Sequence, residues 1–258
     1  MARIHPTAVV ETGAKLAEDV EIGAHAYVGA EVELASGVIL RPHAMVTGKT
    51  TVGERSRVFP FAVLGEEPQD RSYAGQNTQL VIGHDTTIRE HCVIHLGTPK
   101  GGGLTRIGDD TLILNGVHVG HDCQIGSQVL IASLCAVAGH VSVDDFAVVG
   151  GLTGIHQFVR IGESAMVAAT SAVSQDVPPF ALVAGDRAKL SGLNAVGLRR
   201  RGFTPDVRRK IHHAYHLIFH SKLRFQAAAE RVRAEIQGCA EVDRLMQFLE
   251  SSERGFVR

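Results

Sequence analysis

Residues 115–126 read NGVHVGHDCQIG, which places His118 and His121 three apart and Asp122 directly after the second. An imidazole beside a carboxylate suits proton transfer near neutral pH. A free histidine titrates near pH 6.5, and the carboxylate selects which ring nitrogen carries the proton. Two histidines and an acid are also a partial zinc ligand set. The choice depends on where each side chain points, and so on the elements that carry it.

Those elements repeat every six residues. Ile4, Val10, Leu16, Ile22, Val28, Leu34, Leu40, Val46, Val52, Val58 and Leu64 are all aliphatic. The series resumes at Ile82, Ile88 and Ile94, then runs unbroken from Ile107 to Val173. Helices repeat near 3.6 and half-buried strands at 2, so a period of six means neither. It predicts a coil of short strands and tight turns, with the aliphatic residue inward and glycine, which often follows it, where the backbone turns. Three hexapeptides per turn give a triangular prism whose parallel strands stack about 4.8 Å apart. Residues 18 apart then sit one above another. Four positions after the aliphatic comes a compact residue, and Cys92, Cys123 and Cys135 fall in that slot as buried filler.

Two polar stretches interrupt the count, near 65–81 and 95–106, and read as loops thrown out from the wall, where substrate contacts concentrate. The repeat appears through Val173, and DVPPFALVAGDRA leads to a different composition. The expected division is a β-helix over 1–186 and a small helical domain over 187–258. Its helices are expected in LSGLNAVGLRRR, after Thr204 as cap with Pro205 at the first position, near 225–236 and near 240–252, covering the open end of the prism.

Charge is balanced overall but not along the chain: 1–186 holds 11 basic and 20 acidic residues, 187–258 holds 15 and 7. A basic tail on an acidic body suits an acidic partner or phosphates. No leader pattern and no apolar window of roughly 18 residues is present, so a cytoplasmic protein without a membrane span is expected. The four cysteines form no CxxC pair, which fits reduced thiols. With no tryptophan and few other aromatics, stacking platforms for nucleic acid are poorly supplied.

On the coil, His121 lies one circuit from Gly139, His140 follows, and His156 and Gln157 fall on the next circuit. His118, His121, Asp122, Gly139, His140, His156 and Gln157 therefore converge near one corner. Zinc remains an alternative, but the spacing lacks a compact ligand set. Acyl transfer needs only these residues: His121 as base, Asp122 orienting it, and the Gly139 N–H meeting the oxyanion of an attacked thioester. No metal or other cofactor is required.

With HVGHDC, VAGHVSVDDF, GIHQF, QDVPPF and NAVGLRRRGF in order along the chain, the sequence resembles the UDP-N-acetylglucosamine O-acyltransferase family over essentially its whole length. The resemblance implies an all-β left-handed parallel β-helix followed by a small α-helical C-terminal domain, assembled as a homotrimer with clefts between subunits. It implies transfer of an R-3-hydroxyacyl chain from acyl carrier protein to the 3-hydroxyl of UDP-N-acetylglucosamine, the first step of lipid A biosynthesis, in the cytoplasm. By the same resemblance His121, Asp122 and Gly139 are the catalytic set. Asp70, His118, His140, His156, Gln157, Asn194 and Arg200 bind acceptor or donor, and Ala169 limits acyl-chain length, at roughly 10 to 14 carbons.

Three positions depart from the family pattern: Ser72 where lysine is usual, Leu96 where arginine is usual and Val196 where glutamate is frequent. Each removes a charge expected near the substrates. One alternative that follows is a UDP-sugar with an amine at carbon 3 as acceptor; a zinc enzyme on the same coil is a separate and weaker alternative, resting on the histidines.

Overall fold

The computed structural model describes residues 1–258 as a three-sided parallel β-helix followed by helices. Most strands are two residues long. They stack into wall A with 11 strands, wall B with 9 and wall C with 8. Register obeys the repeat: up wall B, His118 pairs with Ala136, Ala136 with Gly154 and Gly154 with Ala172. The second residue of each strand points inward, so Ile113, Val119, Ile125, Ile131, Val137 and Val143 are buried in one column-filled core. Each such side chain contributes roughly 1.5–3 kcal/mol by leaving water. The series fails only at its N-terminal end, where Ile4 is 44% exposed because no coil lies beneath it.

The glycine that follows the aliphatic residue is not the one that turns the corner, contrary to expectation: the left-handed residue comes two positions later, and it is glycine only at Gly13, Gly37 and Gly116 among the regular corners. Most left-handed positions are held by side-chain-bearing residues, among them His25, Arg55, Asp122, His140 and Phe158, with φ from 56° to 65°. Their conformational cost is offset by pairing with the coil below: His140 N–H donates to the His121 carbonyl at 2.9 Å and Leu134 N–H to that of Asn115 at 3.0 Å. Glycine after the aliphatic residue serves close packing instead. A β-carbon on Gly108 would lie 2.5 Å from the Gly126 backbone one coil on.

Cys92, Cys123 and Cys135 occupy the compact inward slot as free thiols. Each Sγ donates to a carbonyl of the next circuit, at 3.0, 3.1 and 3.1 Å. Burial pushes the Cys92 thiol up to about 11 and that of Cys123 to about 12.

Both interruptions leave wall B and rejoin on wall C. The first lies between strands Val63–Glu66 and Gln79–Ile82, the second between Val93–His95 and Leu104–Ile107, and the second contains a 3-10 turn at Pro99–Gly101. They replace the corner between walls B and C on two successive coils.

The coil outlasts Val173. Val177 bridges to Ile161, and Ala181–Ala184 pairs with Met166–Val167 on wall A. DVPPFALVAGDRA, where the six-residue count stops, thus supplies another strand. Lys189–Leu193, expected as helix, is a strand antiparallel to Ala181–Ala184. It completes the edge of wall A, whose backbone groups outweigh helix propensity.

Four α-helices follow: α1 (Ala195–Arg200), α2 (Pro205–Tyr215), which runs on into a π-helical turn at His216–His220, α3 (Phe225–Glu235) and α4 (Ala240–Glu250). Thr204 caps α2, its hydroxyl accepting from Val207 N–H at 3.3 Å with Pro205 in the first turn, as the sequence predicts. Ile211, Val232, Leu245 and Leu249 join the same buried cluster as the prism interior. No helix is long and apolar enough to cross a membrane.

Candidate active site

The corner immediately above the two insertions is Gly120-His121-Asp122. Asp122 is 5% exposed and turns left-handed, φ 60°, which swings its carboxylate under the second insertion. There Oδ1 accepts from Thr98 N–H and Oδ2 from the Thr98 hydroxyl, both at 2.7 Å. Gly101 is needed for this wrap, since a β-carbon on it would fall 2.0 Å from the carboxyl carbon. Oδ2 also meets His121 Nδ1 at 2.7 Å. A carboxylate only accepts, so Nδ1 carries the proton and Nε2 keeps its lone pair.

One coil higher, Gly139 forms the floor for that ring. A β-carbon there would stand 2.8 Å from His121 Cε1 and 2.9 Å from Nε2. The Gly139 carbonyl accepts from Phe158 N–H at 3.3 Å, while its own N–H donates to no group of the chain. A histidine ring and a residue with a free amide donor are thus in contact, the two groups that acyl transfer requires.

His140 follows on the same corner, edge-on to His121 with centroids 5.0 Å apart and stacked on Phe158 at 4.5 Å. Burial first, and His121 beside it, hold its pKa below the ordinary histidine range, against the pull of Asp122. His118 lies on the outer face of wall B, edge-on to His95 at 5.3 Å. Burial and then its histidine neighbours lower its pKa also. His156 and Gln157 are exposed one coil further up, where Arg254 reaches in from the tail to His156 Nδ1 at 3.2 Å. Asp70, in the first insertion, is held below the usual carboxylate range by the Ser72 N–H, then the Ser72 hydroxyl, with Lys100 and His121 adding to it.

These residues share the corner between walls B and C. Asn194 and Arg200 do not. Asn194 caps α1, accepting from Gly197 N–H at 3.0 Å, and donates to the Ser164 carbonyl at 2.9 Å, on the corner between walls C and A. Arg200 ends that helix and is exposed. Ala169 is exposed on the third corner, between walls A and B. Between it and His118, the outer face of wall B carries only Ala136, Gly154 and Ala172, and a β-carbon on Gly154 would meet nothing within 4 Å. A smooth apolar strip therefore leads from the histidines toward Ala169.

Sequence reasoning missed Thr98, Lys100 and His95. The insertions break the 18-residue rule, so Thr98 contacts Asp122 from 24 residues away. His95 is 4% exposed, pairs through Nδ1 with the Glu67 carbonyl at 2.8 Å and has Nε2 unpartnered. The departures resolve differently from one another. Ser72 does not leave its neighbourhood uncharged, because Lys100 Nζ lies 3.1 Å from its hydroxyl. Leu96 is buried in the core, and Val196 is 49% exposed on α1.

The coil does gather ligating atoms that the spacing did not suggest: those of His121, Asp122 and His140 lie within 4.8 Å of one another. Yet both Asp122 oxygens are already engaged by Thr98 and His121. A metal would have to displace those bonds, whereas an orienting carboxylate keeps them.

A stacked hexapeptide coil with histidines at one corner defines the hexapeptide transferase class, and residues 104–139 match the family described as bacterial transferase hexapeptide (six repeats). Residues 176–257 match the one described as Udp N-acetylglucosamine O-acyltransferase, domain 2. Relatives named acyl-(acyl-carrier-protein)–UDP-N-acetylglucosamine O-acyltransferase include one from Myxococcus xanthus, 45% identical over 100% of both chains. Another, from Syntrophobacter fumaroxidans, is 44% identical over 99% of this chain and 100% of its own. The solved UDP-N-acetylglucosamine acyltransferase of Campylobacter jejuni superimposes with a TM-score of 0.94 at 42% identity, covering 99% of this chain and 100% of that one. The chain belongs to the UDP-N-acetylglucosamine O-acyltransferase family.

Proposed function

We propose that this chain transfers an R-3-hydroxyacyl group from acyl carrier protein to the 3-hydroxyl of UDP-N-acetylglucosamine, the first step of lipid A biosynthesis, with His121 as general base. The observation that carries the mechanism is the His121–Asp122 pair packed against Gly139, whose N–H is free. Nε2 takes the proton of the sugar hydroxyl as its oxygen attacks the thioester carbon. The negative charge on the carbonyl oxygen is met by the Gly139 N–H, and Asp122 steadies the imidazolium. On collapse the carbon–sulfur bond breaks, and the leaving thiolate recovers the proton from Nε2. The acyl chain lies on the Ala136–Gly154–Ala172 strip toward Ala169, and Asp70, His118, His140, His156 and Gln157 hold the substrates.

Asn194 and Arg200 sit on a different corner from His121 and reach the nucleotide only from a neighbouring subunit, which supports a homotrimer with shared clefts. The acidic carrier protein suits the basic C-terminal segment, and a cytoplasmic setting fits both substrates. The test is an acyl transfer assay with hydroxyacyl carrier proteins of several lengths and both the 3-hydroxyl and 3-amino UDP-sugars. Abolished turnover in His121→Ala with substrate binding retained is the expected result. Binding lost with turnover per bound complex intact would remove the base assignment. Mixing His121→Ala with Arg200→Ala subunits under exchange conditions should restore part of the activity, and no recovery in demonstrably mixed assemblies would remove the shared cleft.

A further inference from the structure

The two insertions are tied at their tips by one side-chain bond, Lys100 Nζ to Ser72 Oγ at 3.1 Å. Lys100 lies in the 3-10 turn whose cap, Thr98, is bonded through both its N–H and its hydroxyl to Asp122. The turn that fixes the carboxylate behind His121 therefore also fixes the reach of Lys100. On the other side, Ser72 donates its N–H and hydroxyl to Asp70 Oδ1 at 2.8 and 3.0 Å. A chain of contacts runs His121, Asp122, Thr98, then Lys100, Ser72, Asp70, and it ends near its start, with the Asp70 carboxylate in electrostatic reach of His121 and His140. Lys100 is exposed there, and the hydroxyl of Ser72 occupies only one of its three donors.

Resting on the acceptor reading above, we infer that Lys100 is a binding and specificity-determining residue for the nucleotide sugar, its ammonium meeting the diphosphate. The diphosphate hangs from the same sugar ring as the reacting hydroxyl. A ring presented to His121 therefore keeps that anion within reach of the insertion tips. Of the side chains in the contact chain, only Lys100 brings a fixed positive charge; Asp70 beside it is suited to sugar hydroxyls and repels phosphate. The ammonium both offsets that repulsion and donates to the anion.

The experiment compares Lys100→Gln, Lys100→Arg and the double variant Lys100→Gln/Ser72→Lys with the parent in steady-state acyl transfer, with UDP as a competing probe. Lys100→Gln should raise KM for UDP-N-acetylglucosamine about tenfold, the value of one charge-assisted hydrogen bond. The inhibition constant of UDP should rise in parallel, with kcat and KM for the acyl carrier protein little changed. Lys100→Arg should keep most of the affinity. Since Ser72 Oγ lies against Nζ, a lysine at 72 puts an ammonium in the same space without the latch, and the double variant should recover the lost affinity. Unchanged KM and UDP inhibition in Lys100→Gln would overturn the inference, as would loss in kcat that the double variant does not restore, which would mark a loop latch only. Absence of acyl transfer in the parent would instead defeat the acceptor reading.

Discussion

The ring of His121 rests on the bare α-carbon of Gly139, with room for a hydrogen and nothing larger. The contact crosses from one coil to the next and ties the position of the base to that of the amide donor. Gly139→Ala should displace the imidazole while leaving the N–H in place. A misplacement near 1 Å costs about a hundredfold in rate. The check is kcat beside a thermal midpoint, with the midpoint near that of the parent.

Asp122→Asn should cost more. It keeps the side-chain shape but puts an amide where Oδ2 takes the His121 proton, so the ring is driven to the wrong tautomer. A drop of up to about ten-thousandfold in kcat is expected, the size seen when a serine-protease triad is so altered. Thr98→Val, which removes one of the donors to Asp122, should lose about tenfold. Single-turnover kinetics with saturating acyl carrier protein separates these effects from binding.

Stability should fall as the medium is acidified below about pH 6.5. His118 and His140 have lowered pKa values in the fold, chiefly through burial. Between the folded and unfolded values the unfolded chain binds more protons, so stability rises with pH through that window and is lost as pH falls through it. A His118→Gln/His140→Gln variant should show a shallower decline of thermal midpoint between neutral and mildly acid pH. An unchanged slope would assign the decline to other groups.

Chain-length choice should respond to wall B without loss of fold. Gly154→Val adds a side chain into open space, so the midpoint should hold while kcat/KM for long acyl donors falls about tenfold. Ala169→Met, at the far edge of the strip, should shift preference toward shorter chains. Relative kcat/KM across a series of hydroxyacyl carrier proteins reads both.

The repeat was legible because burial is periodic: an inward aliphatic such as Ile125 must lie between Ile107 and Val143, and no other arrangement satisfies every circuit. The same arithmetic placed Gly139 and His140 against His121. It failed wherever the chain left the coil. Thr98, His95 and Lys100 belong to insertions of unequal length, so their distance in sequence carries no register. It also failed at Lys189–Leu193, where an open sheet edge decides the conformation, and at glycine, whose role is set by the neighbouring coil.

Because every circuit advances by one strand spacing, about 4.8 Å, the prism is a graduated rod. The apolar strip offers one outward position per graduation at Ala136, Gly154 and Ala172. A bulky side chain moved from one mark to the next changes the space left for a hydrocarbon by a fixed increment. Altered selectivity is then reached by relocating a single obstacle, while the interior that keeps the rod straight stays untouched.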